Sequence, residues 1–125
     1  MKRSEFKSEF FCLLDQPIDG ASLEEKIALT EKYFIEYQRK HDDERERPNT
    51  GKPWKDAELR AILQSAPTVK NCLKYAKLFG RGYGSIEEIY RWAATTDKEV
   101  QEKRAEDTFV AQVKRIAKEI GWRAY

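Results

Sequence analysis

Three lysines, Lys70, Lys74 and Lys77, recur at i, i+4 and i+7, the spacing that lines side chains along one face of a helix. A row of ammonium groups at that spacing matches the distances at which backbone phosphates of a nucleic acid are neutralised. Lys55 and Arg81 extend the same positive field, with Lys52 and Arg60 beside them. On the helix expected next, Ser85, Glu87, Arg91 and Thr95 fall on a face that would approach base edges. Arginine can bond guanine in two places, and glutamate can accept from cytosine. Carboxylates also repel phosphates, so Glu87 and Glu88 in the first turn count against that reading. In a chain this charged, the lysine row is also what an ordinary solvated helix face looks like.

Other chemistry has thinner support. The single histidine, His41, and the two distant cysteines, Cys12 and Cys72, give no metal-ligand spacing. Both cysteines fall on apolar helix faces, which predicts core thiols and not a Cys-His nucleophile. The glycine-rich stretch at residues 80–84, GRGYG, lacks the lysine and the preceding strand of a phosphate-binding loop. Asp42, Asp43, Glu44 and Glu46 are interleaved with arginines and read as a solvated charge run, not a cation site. The expectation is a protein that is not an enzyme, with no metal, no cofactor and no small-molecule substrate.

The chain has 125 residues, 37% of them charged and 40% hydrophobic, the balance of a helical protein with a solvated surface. Its net charge of +2 is unevenly distributed. Residues 51–85 hold 7 basic and 2 acidic side chains, a net of +5. Residues 1–50 hold 9 basic and 12 acidic ones, a net of −3. No apolar run approaches the roughly 20 residues that a membrane span needs, and the N-terminal stretch carries no secretory pattern. Two lone cysteines make no disulfide framework and suit a reducing compartment, so the expected location is cytoplasmic, or nuclear in a eukaryote.

The elements that must position these residues are all helical; no segment alternates with a period of two. Residues 4–15 form a short amphipathic helix with Phe6, Phe10, Leu13 and Leu14 in one stripe. Ser22 and Glu25 form a capping box that opens a second helix. Leu23, Ile27, Thr30, Phe34 and Tyr37 follow at 4-3-4-3 spacing, the seam of a helix packed on other helices. Residues 41–53 are charge-dense and then proline- and glycine-rich, which predicts a flexible joint. Helices then follow over residues 56–64, from the Thr68 cap to Phe79, and from a second capping box at Ser85 and Glu88. Residues 97–120 read as one long final helix, stopped by Gly121. The predicted fold is all-α, with about six helices. The division is a helical region over 1–47, a linker over 48–53, a three-helix unit over 54–96 and a long helix over 97–125.

Residues 54–92 resemble the Myb/SANT-like group of homeodomain-like helix-turn-helix domains. Trp54, followed by Glu58 and Leu59, stands where the family has its first core tryptophan. The stretch from Cys72 to Arg81, CLKYAKLFGR, follows the family's second pattern with cysteine in the tryptophan slot. Arg91-Trp92 matches the closing pair. Cysteine is far smaller than tryptophan, so Tyr75 or Tyr83 must fill the volume, and the turn is about two residues longer than usual. The resemblance implies a small regulator that binds double-stranded DNA, with the third helix in the major groove. In the SANT branch an acidic third helix goes with binding protein instead, which implies the alternative: a non-enzymatic interaction module that engages a larger partner. A single unit binds DNA weakly, so a homodimer or a partner protein is expected through the amphipathic terminal helices.

Overall fold

The computed structural model describes residues 1–124. Among them are seven α-helices and no strand: α1 (Arg3–Leu14), α2 (Leu23–Lys40), α3 (Asp56–Leu63), α4 (Val69–Phe79), α5 (Tyr83–Ala94), α6 (Asp97–Lys103) and α7 (Thr108–Ile120). The chain divides into two compact units, residues 1–37 and residues 38–125.

The first unit is a helical hairpin. The Ser22 hydroxyl accepts the Glu25 N–H at 3.2 Å and so opens α2 as its sequence signal predicts. The Lys26 ammonium reaches back to the Leu14 carbonyl at 2.7 Å and satisfies an orphan acceptor at the end of α1. Phe10 meets Phe34 edge-on at 6.2 Å. No residue of either helix is buried. The expected seam is not a buried core: Leu23, Ile27, Phe34 and Tyr37 are all at least half exposed, and Thr30 turns its hydroxyl onto the Lys26 carbonyl. Cys12 is exposed as well, which corrects its expected core placement. Spacing specifies a seam, but burial needs a second helix facing it.

The second unit holds the core. Leu59 and Ile62 of α3, Ala76 of α4, Ile86 and Ile89 of α5, and Val113 and Ile116 of α7 have no exposed surface. Helix α4 starts at Thr68, whose hydroxyl accepts the Asn71 N–H at 3.1 Å. It ends at Gly80, whose φ of +64° is the left-handed geometry that favours glycine. A Cβ on Gly80 would lie 2.9 Å from the Asn49 side chain, so close approach fixes the residue type as well.

Three features differ from the sequence expectation. The turn after α4 spans only residues 80–82, because α5 begins at Tyr83 with Gly82 as its cap, so Ser85 lies inside the helix and does not open it. The final helix is broken at residues 104–107, and Asp107 caps α7 by accepting the Val110 N–H at 3.1 Å. The charged stretch 41–53 is docked, not loose. Within it the Asp42 carboxylate accepts the Tyr83 N–H at 2.8 Å, and Arg45 donates to the Arg81 carbonyl at 2.8 Å. Asn49 donates from its side chain to the Phe79 carbonyl and from its backbone to the Gly80 carbonyl. Helix ends leave unsatisfied backbone groups, and this stretch satisfies them on both sides of the α4–α5 turn.

Candidate functional site

Helix α4 presents its outer face through Lys70, Lys74 and Lys77, all exposed. Its inner face is held by Cys72, Leu73 and Ala76, so the amphipathic period decides which way the lysines project. None of the three forms an ion pair with a described residue. The Lys77 ammonium donates to the Gln38 side chain, and Lys74 lies 5.3 Å from the centre of the Tyr75 ring. Leu78, 64% exposed, lies beside the row. Lys55 is exposed at the start of α3 and is not part of the α4 face.

Arg81 is not part of the surface at all. It is 4% exposed, and its guanidinium stacks 3.9 Å from the centre of the Trp54 ring. Its terminal nitrogens donate to the Lys52 carbonyl at 2.6 Å and the Pro53 carbonyl at 3.2 Å. Burial lowers its pKa from the ordinary arginine value, against the pull of Glu58. Its expected role on phosphates is therefore corrected: Arg81 pins the segment ahead of α3 to the α4–α5 turn.

The four residues expected to read bases are dispersed. Ser85 faces a cleft of about 510 Å³ shared with Trp54 and Phe109. Glu87 lies across α5, 3.8 Å from Arg39. Arg91 is exposed, and Thr95 serves the helix end: its hydroxyl donates to the Arg91 carbonyl, and its own carbonyl accepts from Lys114 at 2.6 Å. The outward ridge of α5 carries Glu88, which accepts from the Trp92 indole at 3.3 Å. The Asp42 carboxylate already occupies the N-terminus of α5, where a phosphate would be favoured. Burial pushes the Asp42 pKa up, but hydrogen bonds from Arg45 and from the Tyr83 N–H hold it below its ordinary value.

Cys72 is buried, and burial together with the Glu87 charge pushes its thiol up to about 11. It is a neutral core thiol at physiological pH. Tyr83, itself buried, hydrogen-bonds the thiol, while Tyr75, also buried, stacks on Phe79 at 5.8 Å. Arg39, unmarked in the sequence reading, lies 4.9 Å over the Tyr83 ring and forms one wall of a groove of about 460 Å³ with Val69, Glu87 and Arg91. No group of three or more His, Cys, Asp or Glu side chains among the described residues is placed to hold a metal ion. No helix among them is long and apolar enough to cross a membrane.

A second surface belongs to the hairpin. Between α1 and α2 lies an apolar groove of about 540 Å³, lined by Phe10, Leu13, Leu29, Tyr33, Phe34 and Tyr37 among others. Leu13 is 70% and Tyr37 64% exposed. The helical spacing marked Phe10, Leu13, Phe34 and Tyr37 in advance, but as a core and not as a surface.

Residues 48–124, which include all of α3–α7, match the family described as the C-terminal domain of the uncharacterised protein PM1205. The chain is also 46% identical over 121 residues to the uncharacterized protein PM1205 of Pasteurella multocida (strain Pm70), a match that covers 96% of this chain and 97% of that relative. No solved structure matches the chain. The relative is matched nearly end to end, and the family match covers more than half of the chain, so the chain belongs to the PM1205 C-terminal domain family.

Proposed function

We propose that this protein is a non-enzymatic protein-interaction module whose N-terminal hairpin is a docking surface for another helical protein surface. The observation that carries this reading is the solvent-exposed apolar face of the hairpin: no residue of α1 or α2 is buried, and large apolar side chains line an open groove. Contiguous exposed apolar surface of several hundred Å² marks an interaction site far more often than a solvated face. The test is photo-crosslinking in the native host, with a photoreactive residue placed at Tyr33 or Tyr37 and a control at Glu102 on the polar α6. Protein adducts specific to the hairpin positions are expected; equal or no adducts at both places would remove the reading.

A second reading, a helix-turn-helix unit that holds DNA, is favoured by the exposed lysine row on α4, which forms no ion pair with a described residue, and by the Myb/SANT resemblance of residues 54–92. Three phosphates neutralised by Lys70, Lys74 and Lys77 give a log–log salt slope of about −2.7, or roughly 40-fold weaker binding between 50 and 200 mM salt. Fluorescence anisotropy with random duplex measures that slope. Replacing the three lysines with glutamate is expected to abolish binding to all sequences alike. An absence of binding by micromolar protein at low salt ends this reading. The acidic ridge of α5 and the Asp42 cap at its start make base reading by α5 the weaker part of it.

A further inference from the structure

We infer that the cleft between the first turns of α5 and α7 is a binding site for a small aromatic carboxylate. The cleft belongs to the second unit, and the inference does not rest on the reading of the hairpin.

The cleft contains a buried charge that no carboxylate of the chain neutralises by contact. Arg81 lines it and is 4% exposed. Its terminal nitrogens are spent on the Lys52 and Pro53 carbonyls, and its Nε has no hydrogen-bond partner among the described residues. No ion pair among those residues includes Arg81, and Glu58 acts on it only at longer range. Buried charges are ordinarily paired, because an unpaired one keeps its desolvation cost. Lys52, exposed and in the same lining, adds a second cation. Glu88 is the carboxylate of the lining, and it already accepts from the Trp92 indole at 3.3 Å. Two cations against one carboxylate leave the cleft a single positive charge in surplus.

The first turn of α7 adds directed donors. A helix start leaves N–H groups without intrahelical partners. The Asp107 side chain serves the one at Val110, and the Ala111 N–H bonds the Asp107 carbonyl. No hydrogen bond from a described residue reaches the N–H groups of Thr108 and Phe109, and both residues line the cleft. The positive end of a 13-residue helix therefore borders the same space as the buried guanidinium. The hydroxyls of Ser85 and Thr108 belong to that lining too.

The walls decide what carries the negative charge. Trp54 and Phe109 line the cleft and are half-buried. Aromatic walls favour a flat ring, stacked or edge-on. The volume of about 510 Å³ lies within the range of small-molecule sites. One charge on the ligand matches the surplus, whereas a second, as on phosphate, would meet Glu88 and the Asp107 cap. A carboxylate also accepts several N–H and O–H bonds at once.

Titration of the isotope-labelled full chain with indole-3-carboxylate at neutral pH, followed by NMR, tests the site. Saturable shifts are expected at the Thr108 and Phe109 amides and the Trp54 indole, with a Kd of about 1 mM or tighter. Indole-3-carboxamide, which has the same shape without the charge, is expected to bind about 10-fold more weakly or worse. Inorganic phosphate is expected to leave these signals in place.

Thr108→Pro removes one N–H and one hydroxyl but suits the helix. Proline is favoured at a first helical position, and the extended backbone of Asp107 fits a residue before proline. This variant is expected to weaken the carboxylate by about 10-fold with an unchanged circular dichroism spectrum. Ser85→Phe fills the cleft from α5, leaves α7 untouched and is expected to remove the saturable shifts. Equal binding of carboxylate and carboxamide, shifts that never saturate, or shifts that survive both variants overturn the site. Phosphate binding in place of the carboxylate overturns the ligand class.

Discussion

Arg81 has a charge, a position after a helix and a family pattern that all suggest phosphate contact, yet it stacks on Trp54 and bonds two carbonyls in the interior. Truncation would leave those carbonyls unsatisfied and remove the stacked cation. Arg81→Ala is therefore expected to cost about 2–4 kcal/mol of folding stability, measured by chemical denaturation. A loss below about 0.5 kcal/mol would contradict the buried role. The cysteines separate just as sharply. Cys72 has a pKa raised to about 11 by burial and by Glu87, while Cys12 is exposed. Titration of the folded chain with a disulfide reagent near pH 7.5 is expected to consume one thiol quickly, with the second released only on denaturation. Two fast thiols would show that α4 does not seal its inner face.

Among the elements, the α4–α5 turn is the one assembled from distant parts of the chain. Glycine chemistry at residue 80 ends α4, but the start of α5 is satisfied by Asp42, 41 residues earlier in sequence. The pH dependence of that cap has a definite sign. The folded carboxyl lies below its ordinary value, so its contribution is fully present above about pH 4 and is lost as pH falls through the folded value. Asp42→Ala is expected to destabilise the chain by about 1–2 kcal/mol at pH 7, the usual effect of deleting a helix cap. The gap from the parent should be narrower at pH 3, below the ordinary carboxylate value, than at pH 7. Urea denaturation at the two pH values measures both quantities, and a gap that stays constant with pH would assign the role to something other than the charge.

At the scale of the molecule, the two units differ in what they bury. The second has a core shared by α3, α4, α5 and α7, tied at its edge by Arg115 to Asp56 at 2.8 Å and Arg60 to Glu119 at 2.8 Å. The hairpin has none. A fragment of residues 38–125 is thus expected to unfold cooperatively, with a melting temperature within a few degrees of the full chain, by circular dichroism. A fragment of residues 1–37 is expected to be largely unfolded when dilute, since two short helices without a core are marginal in water. A cooperative transition in the dilute hairpin would mean that it stands without a partner.

Sequence alone determined what local physics controls. The Thr68 and Ser22 caps, the glycine stops at Gly80 and Gly121, the buried face of α3 and the burial of Cys72, Leu73 and Ala76 on α4 follow from residue type and helical period, although Val69, expected on the same inner face, is 37% exposed. It also marked the lysine row, because an amphipathic helix with a buried inner face must send those side chains outward. Only the tertiary structure decided the rest. Whether an apolar stripe becomes a core is not set by its spacing: α7 buries Val110, Val113 and Ile116, while no residue of α2 is buried. Whether a charged run floats or docks depends on unsatisfied groups far away in sequence, as with Asp42, Arg45 and Asn49 on the α4–α5 turn. Arg81 follows the same rule. Composition gives the charge of a side chain, but only the packed fold decides whether that charge meets solvent or the interior.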